Sequence, residues 1–107
     1  MQIFYQIVYW RDIPAQIKLR AGRERRSYPL SPRFQEAIDD SAMLSRSTST
    51  DAYLEDWRTS EWQSTEGEPE QFAADLLASI EREYPPDRLK SIILNKGYVS
   101  NKETKHN

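Results

Sequence analysis

The sequence predicts an α+β domain: a small antiparallel sheet led by an N-terminal β-hairpin, with helices packed on one of its faces. Three observations predict it. The chain opens with two β-rich runs separated by a short joint. Past residue 31 the apolar spacing changes from two to the helical three and four, and only one weak strand interrupts the helical segments. Strands first and helices afterwards is the order of an α+β fold.

The first strand is "QIFYQIVYW", residues 2–10, β-branched and aromatic almost throughout. Ile3, Tyr5, Ile7 and Tyr9 alternate with Phe4, Gln6, Val8 and Trp10, so both faces are apolar, as in a central strand covered at least in part on each side. The second is "AQIKLRA", residues 15–21, where Ile17 and Leu19 alternate with Lys18 and Arg20 to give one dry and one wet face. The joint from Arg11 to Pro14 is short enough for a hairpin. Gly22 ends the second strand, and "RERRSYPL" reads as a basic loop.

Helical signals follow. "SPRFQEAIDDSAML" has a capping Ser31, Pro32 in the first turn, and an apolar stripe of Phe34, Ala37, Ile38 and either Met43 or Leu44. "SRSTST" interrupts, and Ser49 or Thr50 caps a short helix through "DAYLEDW", which sets Tyr53 and Trp57 one turn apart with Leu54 beside them. "TSEWQSTEG" fits a short edge strand around Trp62. A longer helix starts at Glu68-Pro69, where Glu66, Glu68 and Glu70 complement the dipole. It buries Phe72, Leu76 and Ile80 and stops at Pro85-Pro86. A last helix in "PDRLKSIILNKG" turns Leu89, Ile92 and Ile93 inward and ends at Gly97. Residues 1–97 thus form one domain, and 98–107 a polar, mobile tail.

Composition narrows the chemistry. With 107 residues there is material for one core, and three tryptophans, six tyrosines and three phenylalanines give it apolar mass that disordered chains lack. There is no cysteine, which excludes disulfides, thiolate metal sites and thiol nucleophiles. The single histidine, His106, lies beside the C-terminus, so neither a histidine triad nor a multi-histidine metal site can be built from this chain alone. No metal site, cofactor or catalytic residue is predicted. The net charge of −2 does not suggest a dedicated nucleic-acid binder. No apolar run reaches the ~20 residues of a membrane span, and the default expectation is a cytoplasmic location.

Three groups of residues invite a functional reading. Trp10-Arg11-Asp12 at the end of the first strand is either a binding surface or a hairpin corner in which Asp12 satisfies turn amides and Trp10 packs inward. Tyr53 and Trp57 are either a satellite core or interface anchors. Lys18, Arg20, Arg23, Arg25 and Arg26 form a basic strip that suits an anion or guards a sheet edge, and Tyr28 is the one aromatic interleaved with it along the sequence. Asp39 and Asp40 diverge on their helix, and "AGRERR" lacks the spacing of a phosphate loop.

The blocks "IVYWRDIPAQI", "KLRAGR", "YPLSPRFQEAIDDSAM" and "TDAYLEDWR" resemble the small domain family known as virulence factor. They are also similar to the module that accompanies HEAT-like repeats in conserved virulence factor C-type proteins. The resemblance covers roughly residues 5–83 and singles out Tyr9, Trp10, Arg11, Asp12, Ile13, Pro14, Gln16, Arg33, Phe34, Asp51, Tyr53 and Trp57. It implies a phenotype rather than a chemistry. The expectation is a non-enzymatic accessory domain that docks on another protein, a repeat scaffold or an enzyme, through Trp10, Arg11, Asp12, Gln16, Tyr53 and Trp57. The alternatives are a small-ligand or enzyme module in which Arg11 grips an anion and Asp12 acts as acid or base, and an anion or nucleic-acid binder through the Lys18–Arg26 strip.

Overall fold

The computed structural model describes residues 1–46 and 49–99; His106 and positions 100–107 of the expected tail lie outside them. Three strands come first: β1 (Gln2–Trp10), β2 (Ile13–Ala21) and β3 (Glu24–Pro29). Helices α1 (Pro32–Leu44) and α2 (Thr50–Glu55) follow, then the short strands β4 (Trp57–Thr59) and β5 (Gln63–Glu66), and finally α3 (Pro69–Glu83) and α4 (Pro86–Leu94). The fold is α+β, as the sequence predicts. All five strands join one antiparallel sheet in the order β3-β2-β1-β4, with β5 also on β1.

β1 is the centre of the sheet. Residues 4–10 pair with β2, while the other edge is shared, β5 taking residues 2–5 and β4 taking residues 8–10. The register slips between Val8 and Tyr9, where Val8 pairs with Gln16 but Tyr9 with Pro14, so Ala15 is the extra residue of a bulge. The slip lets the hairpin close tightly, with Trp10 opposite Ile13.

The "RERRSYP" segment is a strand and not a loop. Gly22, at φ +61°, opens a two-residue turn that brings Glu24 opposite Ala21 and extends the sheet by one edge. Its sequence hides this because an edge strand rich in arginine has no apolar alternation, and charge suits an edge that must not pair further. The helix expected through Trp57 ends at Glu55, and Trp57 begins β4 opposite Trp10. Trp62 falls between β4 and β5.

The helices close one side. In α1 the buried positions are Phe34, Ala37, Ile38, Ser41 and Ala42, a complete i, i+3, i+4, i+7, i+8 stripe. Met43 and Leu44, expected to extend it, point outward because the stripe runs through Ser41 and Ala42 instead. In α3, Ala73 and Ile80 are buried while Phe72, Leu76 and Leu77 are half-buried against the same core, Phe72 resting on Tyr5 at 4.9 Å. Leu89 and Ile92 of α4 complete it.

Ser31 occupies the N-cap position of α1, but its hydroxyl does not cap. The Glu81 carboxylate, reaching from α3, accepts the Ser31 amide at 2.7 Å and the Ser31 hydroxyl at 2.9 Å. Arg33 pairs with the same carboxylate at 2.8 Å and donates to the carbonyls of Glu81 (2.9 Å) and Tyr84 (3.0 Å). The start of α1 is thereby bound to the end of α3. Among the described residues no helix is long and apolar enough to cross a membrane.

Candidate functional site: the hairpin corner

Two residues, Arg11 and Asp12, connect β1 to β2. Arg11 adopts φ +54°, the left-handed region that costs a non-glycine residue about 1–2 kcal/mol. Its side chain explains why an arginine stands there. The guanidinium pairs with Asp56 through Nη2 at 3.0 Å and Nε at 3.1 Å. Nη1 donates to the Ser45 hydroxyl at 3.1 Å and the Lys96 carbonyl at 2.6 Å. The plane stacks 4.5 Å from the Trp10 ring and lies 5.1 Å from Tyr98. Only 10% of the side chain is exposed. One residue thus gathers the end of α1, the joint between α2 and β4, and the end of α4.

The backbone repeats the pattern. The Arg11 amide donates to the Asp56 carbonyl at 3.0 Å and the Asp12 amide to the Gly97 carbonyl at 2.9 Å. The Gly97 position, at φ +94°, strongly favours glycine, because a Cβ there would be strained and would meet Arg11 Cδ and Trp10 Cζ3 at 3.1 Å each. Asp12 accepts from the Val99 amide at 2.8 Å and from Arg58 at 3.3 Å. Tyr98 and Val99 are therefore tied back to the corner.

Trp10 and Tyr9 are adjacent and leave the strand in opposite directions. Trp10 is fully buried, donates its indole N–H to the Tyr53 carbonyl at 2.8 Å, and stacks on the Tyr53 ring at 5.7 Å. Tyr53 meets Trp57 edge-on at 5.9 Å. The rings come together although they do not share a helix. Sequence spacing identified the neighbours for a reason the fold replaces: strand pairing, not a helical turn, brings Trp57 to Trp10.

Tyr9 lines a separate open groove of about 470 Å³ with Asp12, Arg58, Ser60, Tyr84, Arg88 and Val99. Arg58 lies over Tyr9 at 4.5 Å and Arg88 over Tyr84 at 4.4 Å. Burial pushes the Tyr9 hydroxyl above its ordinary value, with Arg58 opposing, and burial likewise raises Tyr84. Neither is a base at neutral pH. Arg11 does not face this groove, so Arg11 and Asp12 do not converge on one hollow. Gln16 stands opposite Val8 and Pro29, and no side-chain hydrogen bond joins it to the aromatic cluster.

The basic strip is divided by strand alternation. Arg26, opposite Leu19, is held by Glu24 at 2.7 Å and Glu70 at 3.0 Å. Lys18, Arg20 and Arg25 occupy the other face, with Arg23 in the turn above them. Sequence reasoning missed Phe4 and Trp62 as their companions, because these arrive from β1 and from the β4–β5 loop. Among the described residues no group of three or more acidic or histidine side chains converges as a metal would require.

Neither the curated proteins nor the solved structures hold a match to this chain. The family model described as Virulence factor, by contrast, matches residues 8–93, from the central strand to the last helix. The corner, the arginine clamps at Arg11 and Arg33, and the aromatic cluster all lie inside that span, and the chain belongs to the virulence factor family.

Proposed function

We propose that the domain is a non-enzymatic protein-interaction module whose docking end is the hairpin corner. The observation that carries the reading is the distribution of exposed apolar side chains. Among the described residues seven large ones are exposed, and five of them (Met43, Leu44, Leu54, Leu94 and Tyr98) belong to the three segments that Arg11 ties together. Isolated exposed leucines need no explanation, but their concentration at one end suits an interface.

Five of the six docking candidates, all but Gln16, then take a role in that end. Trp10 and Arg11 support it from beneath, since both are buried. Tyr53 and Trp57 are half-buried and offer ring edges, and Asp12 with Arg58 gives a charged rim that is about a third to a half exposed. A rigid, pre-ordered surface loses little entropy on binding. The resemblance to a module found beside HEAT-like repeats supports a repeat scaffold or an enzyme as the partner. Arg11 and Asp12 have their polar atoms engaged within the fold, which favours docking over acid–base chemistry at this corner.

The test is affinity capture with the immobilised domain, followed by quantitative rebinding of the recovered partner to the Leu54→Asp, Tyr98→Ala double variant. Leu54 is 57% exposed and Tyr98 45%, so the melt should shift only slightly, by the loss of the Tyr98 contact with Arg11, while binding falls at least tenfold, about 1.4 kcal/mol. Unchanged binding would place the interface elsewhere.

A further inference from the structure

The face of the sheet turned away from the helices is basic and carries aromatic rings. Phe4 on β1 pairs with Arg20 on β2, which pairs with Arg25 on β3. Gln6, Lys18 and Ser27 form the neighbouring row. The Arg20 guanidinium lies 5.1 Å from the Phe4 ring centre and 5.4 Å from that of Trp62, whose own surface is 47% exposed. Two hollows of about 620 and 380 Å³ open side by side on this face, and both are lined by Arg25.

The charges there are unbalanced. Among the described residues no carboxylate is within ion-pair distance of Lys18, Arg20, Arg23 or Arg25. Arg20 and Arg25 are directly opposite each other across the ladder, an arrangement that repels. Arg26, one residue on, shows the contrast, since two glutamates neutralise it. Two like charges face to face are relieved by an anion lodged between them. The net charge of −2 sets no bar, because screening confines each charge to a neighbourhood of about 8–10 Å.

We propose that this face binds single-stranded nucleic acid, with phosphates on Lys18, Arg20, Arg23 and Arg25 and a base stacked on Trp62. Cations alone would suit any polyanion, whereas rings set among them select one with flat π-faces. The open part of this face, where Lys18, Arg25 and Ser27 are exposed beside Trp62, is a surface on which unstacked bases lie, while a duplex would offer it only phosphates. The site shares no residue with the docking end and stands or falls without it.

Fluorescence anisotropy with labelled oligo-dT and oligo-U, read across a salt series, tests the proposal. With three to four phosphates held at about 0.7 each, log affinity should fall with log salt at a slope of about −2 to −3. Trp62→Ala should weaken binding roughly 5- to 100-fold through lost stacking. Lys18→Glu with Arg25→Glu should abolish it. All three positions are exposed, and unchanged thermal melts would show that the variants fold. Absence of oligonucleotide binding at low salt would overturn the proposal. So would oligonucleotide binding that Trp62→Ala leaves untouched, or poly-glutamate bound as tightly as the oligonucleotides.

Discussion

Arg11 shows how far a single side chain can determine a corner. Its backbone conformation favours glycine, yet its guanidinium holds three segments through Asp56, Ser45 and Lys96 and stacks on the Trp10 ring. Arg11→Ala should destabilise the domain by about 2–4 kcal/mol in urea unfolding, since it strands Asp56 and keeps the backbone strain. Arg11→Gly should be about 1 kcal/mol milder, because glycine accepts φ +54° freely. Equal losses for the two would mean that backbone strain plays no part. Ser41 makes the opposite case. Its hydroxyl is buried and has no hydrogen-bond partner among the described residues, so Ser41→Ala should leave stability unchanged or raise it by up to about 1 kcal/mol. Sequence flagged Arg11 as unusual but could not say why. Its partners lie 34 to 85 residues away and carry no local signature.

Among the elements, those with strong periodicity were legible and those defined by pairing were not. β1, β2, α1, α3 and α4 announce themselves through alternation, proline and helical stripes. β3 and β4 do not, because an arginine-rich edge and a three-residue strand exist only through their neighbours. The turns that end these elements differ in tolerance. Gly22→Ala meets nothing within 4 Å and should cost about 1 kcal/mol for its positive φ alone. Gly97→Ala drives a methyl into Trp10 and Arg11 as well and should cost clearly more, roughly 2–4 kcal/mol. The groove between β4 and α4 adds a pH dependence. Burial raises Tyr9 and Tyr84, so on alkalinisation the unfolded chain loses its phenolic protons first. In that range the unfolded state binds fewer protons and stability falls as pH rises. The Tyr9→Phe, Tyr84→Phe variant should therefore lose less stability than the parent above about pH 10, and should match its pH dependence below about pH 9.

At the scale of the molecule, the residues that the family resemblance singles out are buried or half-buried, Asp51 excepted. Arg11 binds the corner together, Arg33 binds α1 to α3, and Trp10 and Phe34 fill the core. Fold class was legible in the sequence. Of the corner, Gln16 stands apart from the cluster; the prominence of Trp10, Arg11, Tyr53 and Trp57 was legible, but their partners Ser45, Asp56, Lys96 and Tyr98 were not. The distribution of exposure around that corner, and the aromatic companions of the basic face, were not, since both depend on which strands become neighbours. Under the proposed function the corner has buried supports, Trp10 and Arg11, and an exposed rim that docks. Hydrogen exchange of the domain alone and in complex with its captured partner tests that division most directly. Protection gained in residues 43–46, 50–58 and 92–99 is the predicted result. Protection confined to β2, β3 and the outer side of α3, with those three segments unchanged, would contradict it.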